Sequence, residues 1–194
     1  MTVAIAAGVR FFQYRNKSGS RRAVYETSLT LASLANKSGA LFFVNDHADI
    51  AAAVDADGVH LGQDDLPIEN ARELLGKKKL IGISTHSREQ AVVAETAGAD
   101  YVGFGPIFAT TTKDAGRVQG CAGITRIRQA VSIPVIAIGG ITRENVRDVI
   151  KAGADGVAVI SAILSAPDIG RAAEAMIQRI EHTEAEHQRG TDNA

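Results

Sequence analysis

ADYVGFGPIFATTTK, residues 99–113, decides how the rest of the 194-residue chain is read. Tyr101, Val102 and Phe104, with Gly103 and Gly105, form a short buried strand that other backbone approaches closely. Pro106 ends the pairing because it has no N–H to offer a sheet. Thr110, Thr111, Thr112 and Lys113 then bring hydroxyls and an ammonium to one mouth. That combination suits a phosphorylated ligand, with the lysine as a mobile point charge. A solvated Thr-rich turn is the competing reading of this loop taken alone.

Working outward, apolar and β-branched runs recur near 10–15, 41–46, 58–62, 80–85, 101–105, 134–139 and 156–161. Their near-continuous apolar character predicts parallel strands covered on both faces. Helical patterns fall between them, near 20–38, 47–54, 67–75, 87–97, 123–131, 142–152 and 168–183. Ser87 caps one helix with Gln90 at the capping-box position, and Thr142 caps another. Gly39, Gly98 and Gly153 stand where helices stop in a left-handed turn. Strict alternation means right-handed crossovers and a parallel sheet. The predicted fold is an α/β chain of the (β/α)8 TIM-barrel type with seven strands visible. A doubly wound open sheet is the rival architecture, but the glycine-rich fingerprint after its first strand is missing.

Residues 1–183 read as one barrel domain and 184–194 as a polar, disordered tail. Met1 to Gly8 reads as the end of a helix with its glycine cap, so the chain opens partway through a βα unit. A hydrophobic fraction of 45% and a charged fraction of 22% are ordinary for a soluble globular protein. A net charge of -1 gives no footprint for nucleic acid, and Lys77, Lys78 and Lys79 form a solvated corner. The single cysteine, Cys121, excludes an intrachain disulfide framework and fits a reducing cytoplasmic compartment. No apolar run approaches the ~20 residues that span a bilayer, so no membrane partner is expected.

Barrels of this type place their chemistry at the C-terminal ends of the strands. The first strand delivers Gln13 and Arg15 on one face, with Lys17 in the loop beyond, and these cations call for an anion. The next strands end in Asn45 and Asp46, then in Gln63, Asp64 and Asp65. Carboxylates on adjacent strand ends can hold Mg2+, which takes one or two carboxylates plus phosphate oxygens and water. Each Asp alone would serve as a helix N-cap; facing Arg15, Lys17 and Lys113, they read as a metal–diphosphate clamp. His60 reads as a satisfied core histidine, and His47 and His86 lack zinc-ligand spacing. Ser84 can donate to a phosphate. Gly139 and Gly140, with Ile160 and Ser161 on the last strand, suit a monophosphate. The mouth therefore takes two anionic substrates.

The stretches FFQYRNK, FVND, DGVHLGQDD, GISTH, ADYVGFGPIFATTTK, IPVIAIGGI and GADGVAVISAI resemble those of the thiamine phosphate synthase family, over about residues 1–180. The resemblance implies a transferase of thiamine biosynthesis. It joins a hydroxymethylpyrimidine diphosphate to a thiazole phosphate, with Mg2+ as cofactor. It further implies that Gln13, Arg15, Lys17 and Asn45 bind the pyrimidine diphosphate, that Asp46 and Asp65 hold Mg2+, and that Ser84 and Lys113 contact the same diphosphate. Lys113, Arg15 and Lys17 would stabilise the departing charge. Thr110, Thr112, Gly140, Ile160 and Ser161 match positions that receive the thiazole phosphate. Ala109 stands where proline is common, and Asn16 where Glu is common. A related thiazole tautomerase shares the barrel but lacks the diphosphate and metal set, which this chain keeps. A barrel that binds phosphorylated ligands without catalysis is the other alternative.

Family members begin with a strand and most of a helix ahead of the segment that starts here at Met1. Seven strands leave two unpaired edges, near Phe11 and near Val157 and Val159. The expectation is an open barrel of lowered stability, or an edge covered by another copy in a homo-oligomer.

Overall fold

A computed structural model describes residues 1–110 and 117–191, the last five of these as backbone. Seven parallel strands pair in sequence order: β1 Phe11–Tyr14, β2 Leu41–Asn45, β3 Gly58–Leu61, β4 Leu80–Thr85, β5 Tyr101–Phe104, β6 Val135–Ile138 and β7 Gly156–Ala158. The helices are α1 Thr2–Ala6, α2 Arg21–Ser38, α3 Ala48–Ala53, α4 Ile68–Leu75, α5 Arg88–Thr96, α6 Gly120–Arg128, α7 Val146–Lys151, α8 Ser161–Leu164 and α9 Ile169–Thr191. Every predicted strand and helix is present.

The sheet curls on itself. The Phe11 ring of β1 stacks on Phe43 of β2 at 4.2 Å and meets Tyr101 of β5 edge-on at 5.7 Å, across the inner face. Among the described residues β1 and β7 are the edges of the sheet, and no pairing joins them. The outer face carries the main core, where Phe42, Val44, Val59, Ile81, Val102 and Val135 pack beneath the helices. Alternation along β1 shows the division: Phe12 and Tyr14 pack against that core, while Phe11, Gln13 and Arg15 lie on the other face and stay exposed.

Of the two caps expected from the sequence, Ser87 is one, and Thr142 is not, because α7 starts at Val146 behind Asn145 with no side-chain cap hydrogen bond. Ser20 and Ser87 accept from the backbone N–H groups of Ala23 and Gln90, both at 3.2 Å, and start α2 and α5. Gly39, Gly98 and Gly153 adopt φ of 68°, 93° and 101° after α2, α5 and α7.

At the opposite end from the mouth, one device recurs under alternate strand pairs. The Asp57 carboxylate accepts from Phe42 N–H at 2.8 Å, Asp100 from Ile81 N–H at 2.7 Å, and Asp155 from Val135 N–H at 2.8 Å. Each aspartate also donates its own N–H to the same residue's carbonyl, at 2.8–2.9 Å. Arg72 reaches Asp100 at 2.6 Å and Arg128 reaches Asp155 at 3.1 Å. The recurring Ala-Asp before β3, β5 and β7 is the sequence mark of these latches.

Several expected boundaries need correction. The strand drawn at 156–161 ends at Ala158, and Ser161 instead begins the short helix α8. The helix drawn at 123–131 is Gly120–Arg128, because Gln119 and Gly120 donate to Pro106 and Ile107 carbonyls and dock its start under the preceding loop. The helix drawn at 142–152 begins at Val146, since Thr142 N–H is held by Asn145 Oδ1 at 2.8 Å in a preliminary turn. Residues 184–191 are helical, not a tail. Buried Thr183 and the contacts of Glu186 with Arg147 at 2.8 Å and Lys151 at 3.8 Å hold α9 onto α7.

Candidate active site

The loop between β1 and α2 carries Lys17 to the end of β2. Asn16 Oδ1 accepts from Ser18 N–H at 3.2 Å and Gly19 N–H at 2.9 Å, folding the loop in an Asx turn. The departure at this position is therefore a residue that shapes the loop. Lys17 Nζ then lies 3.1 Å from Asp46 Oδ2. Asp46 itself sits at φ 66°, unusual for a residue with a side chain. It is the middle of a three-residue turn closed by His47 N–H on the Asn45 carbonyl at 2.8 Å, and its own N–H donates to the His60 carbonyl at 2.8 Å. Backbone strain at this point fixes a carboxylate beside the end of β3.

Asp65 arrives from the β3–α4 loop, with Oδ2 accepting from Gly62 N–H at 2.7 Å. The carboxyls of Asp46 and Asp65 are neighbours and interact with each other. Burial, followed by the negative charge of Asp46, pushes the Asp65 carboxyl above the usual range. Burial acts the same way on Asp46, but the interactions with Asp65, Lys17 and Arg15 outweigh it and leave that carboxyl low. Two neighbouring carboxylates form a donor pair that a hard divalent cation suits. Among the described residues, no group of three or more His, Cys, Asp and Glu side chains converges.

Asn45, only 9% exposed, ends β2 in register with His60 of β3. Ser84, half-buried on β4, hydrogen-bonds to His60 Nε2 at 2.9 Å, and Gln63 Nε2 donates to the Ser84 carbonyl at 2.7 Å. His60 is buried and bonded at both ring nitrogens, as a satisfied core histidine should be.

On the far side of the mouth, Gly139 and Gly140 turn with φ of 98° and 64°. A Cβ on Gly140 would lie 2.5 Å from the Ala109 carbonyl oxygen, so glycine allows the 106–109 segment to press against the end of β6. Ile107 and Phe108 N–H groups donate to Ile138 and Gly139 carbonyls at 3.0 Å. The Asn145 side-chain amide donates to the Gly140 carbonyl at 3.0 Å. Thr110 follows this segment, whereas Thr111, Thr112 and Lys113 lie outside the described residues. Ile160 and Ser161, both exposed, form the N-terminal turn of α8 directly after β7.

The β1–α2 loop, β2, β3 and β4 thus bring Lys17, Asp46, Asp65 and Ser84 to one end of the sheet. Tyr101, Gln63 and Asn145 also support that end, in roles that no local motif marks. The spacing of His60, Gly82 and Gly103 on the inner faces of consecutive strands was the available signal for the first. Of the two strand glycines expected to meet backbone, Gly105 does, since a Cβ there would lie 2.1 Å from the Ile138 carbonyl oxygen, whereas one on Gly103 would meet the His60 ring.

A curled parallel α/β sheet with this set at its C-terminal rim defines an enzyme of the barrel class. The family model described as thiamine monophosphate synthase matches residues 1–163, and the chain belongs to that family. It is 52% identical over 171 residues to the thiamine-phosphate synthase of Chloroflexus aurantiacus, covering 88% of this chain and 79% of the relative. It is 48% identical over 181 residues to the enzyme of that name from Methanosarcina barkeri, covering 93% and 82%. The solved thiamine phosphate pyrophosphorylase from Pyrococcus furiosus superposes with a TM-score of 0.87 at 45% identity, covering 93% of this chain and 87% of that one.

Proposed function

We propose that this chain joins hydroxymethylpyrimidine diphosphate to thiazole phosphate, giving thiamine phosphate and diphosphate. Family membership gives the reaction, and the observation that carries its placement is the Asp46–Asp65 pair beside Lys17. Bound Mg2+, held by Asp46 and Asp65, would supply positive charge against the diphosphate. Arg15 and Lys17 would meet the same group from the β1 side, and Lys113 would add a further cation. Together these cations offset the charge that grows on the leaving diphosphate, the electrostatic effect that contributes most in such sites.

Gln13 and Asn45 orient the pyrimidine, and Ser84 donates to the diphosphate. Thr110, Thr112, Gly140, Ile160 and Ser161 receive the thiazole phosphate. The pyrimidine leaves its diphosphate as a carbocation, and the thiazole nitrogen captures it. No side-chain nucleophile is needed, so the chain's work is positioning, charge and exclusion of water.

The experiment is a turnover assay for thiamine phosphate with both substrates, beside calorimetric titration of each substrate with and without Mg2+. We expect product only with both substrates, and diphosphate binding that depends on the metal. No product, or equal binding without Mg2+, overturns the reading.

A further inference from the structure

Ser84 is held at two points, and the group behind its hydroxyl is a buried chain for which the fold has cleared space. His60 Nε2 lies 2.9 Å from Ser84 Oγ, and His60 Nδ1 lies 2.9 Å from the Tyr101 hydroxyl. His60 is 8% exposed and Tyr101 is 7% exposed, so the chain runs from the sheet interior up to the half-buried serine. A Cβ on Gly82 would lie 2.0 Å from Tyr101 Cζ and 2.4 Å from its hydroxyl oxygen. One on Gly103 would lie 3.0 Å from His60 Cε1. Glycine weakens a strand interior, yet β4 and β5 each carry one where this pair passes.

The direction of the chain follows from its buried end. Among the described residues, His60 is the hydrogen-bond partner of the Tyr101 hydroxyl. Burial and the neighbouring Asp100 push that phenol far above its ordinary pKa, so it keeps its proton. A buried O–H without an acceptor costs about 1–3 kcal/mol. The phenol therefore donates to the Nδ1 lone pair. A neutral imidazole that accepts at Nδ1 carries its proton on Nε2, and that N–H donates to Ser84 Oγ. Ser84 is left with its own proton for a group outside the chain. The opposite tautomer would strand the phenol proton and turn the serine proton inward. A doubly protonated ring would also strand the phenol proton.

We infer that Tyr101 and His60 are positioning residues that fix the Ser84 hydroxyl as a hydrogen-bond donor toward the anionic oxygens of the diphosphate substrate. This rests on the proposal above that Ser84 faces that diphosphate.

Two measurements separate the inference from its premise. Imidazole 15N NMR of the whole protein should find the His60 proton on Nε2. A proton on Nδ1 overturns the inference whatever the kinetics. A double-mutant cycle then compares Tyr101→Phe, Ser84→Ala and the pair, using kcat/KM for the pyrimidine diphosphate. We expect Ser84→Ala to lose about 100-fold and Tyr101→Phe about 10-fold, with less than about 2-fold added by Tyr101→Phe once Ser84 is Ala. A Tyr101→Phe loss that persists undiminished in the Ser84→Ala background overturns the inference and leaves the premise standing. Normal kinetics in Ser84→Ala removes the premise, and the inference with it. Should Tyr101→Phe not fold, His60→Gln and His60→Leu run the same cycle. The glutamine can still donate to Ser84 and should recover part of the activity that the leucine loses; equal loss in both overturns the donor role.

Discussion

Lys17 Nζ stands 3.1 Å from Asp46 Oδ2, so the loop after the first strand is tied to the carboxylate that ends the second. The lysine side chain is 57% exposed, and ion pairs in such a setting add little to stability. The contact places charge more than it holds the fold together. Lys17→Ala should lower kcat/KM for the diphosphate substrate by about 100-fold while leaving the melting temperature within about 2 °C. Steady-state kinetics beside thermal melts decide it, and a large drop in melting temperature would recast Lys17 as a structural tie.

Asp65 offers a test through pH. Its folded-state carboxyl is raised by burial and by Asp46, so the folded protein holds that proton more tightly than the unfolded chain does. The resulting cost to stability is absent below the ordinary Asp range and fully present once pH exceeds the folded value. Asp65→Asn removes that cost and can still accept from Gly62 N–H. The variant should melt higher than the parent at neutral pH and no higher at acid pH, while Mg2+-dependent turnover is lost. An unchanged melting temperature at neutral pH would show that the two carboxylates do not burden each other.

Asp46 calls for a different substitution because of its positive φ. Alanine there would add backbone strain of about 1 kcal/mol to the loss of charge, confusing the two effects. Asp46→Gly removes the carboxylate and relaxes the turn, so activity should vanish with no loss of stability. Chemical denaturation with a Mg2+ titration of activity tests both halves.

Lys113→Ala should slow the chemical step far more than it weakens thiazole phosphate binding, by roughly 2–4 kcal/mol in the barrier. A variant that raised only KM for the thiazole substrate would reassign the lysine to the other phosphate.

The edges of the sheet carry a further expectation. Phe11 on β1 is 43% exposed and all three residues of β7 are partly exposed, whereas β3 is buried throughout. Extending the chain with a strand that pairs with the open edge of β1 should raise the melting temperature and the activity together. Sedimentation of the 194-residue chain shows whether a second copy covers the edge instead. A monomer as stable and active as the extended chain would show that the open edge costs nothing.

The order of strands and helices was legible because most strands are near-continuous apolar runs and several helices end in a glycine or begin at a serine. Asp46, Asp65, Lys17 and Ser84 were legible because strand ends can be counted from that alternation. What escaped was set by contacts between distant segments. The Val146 start of α7 depends on where Asn145 turns, and the helical course of 184–191 depends on Glu186 meeting Arg147 and Lys151. Tyr101 looked like an ordinary strand aromatic because its partner is 41 residues away.

Asp57, Asp100 and Asp155 have a consequence for how the molecule comes apart. Each seals one two-strand unit at its base, so the sheet is secured as three separate staves, not as one hoop. Losing Asp100 should loosen the amide of Ile81 and its neighbours, and cost about 1–3 kcal/mol through the N–H left without an acceptor. The amides of Phe42 and Val135 would keep their slow hydrogen exchange. The chain can therefore lose or gain robustness one stave at a time at one end, while substitutions that change its chemistry accumulate at the other.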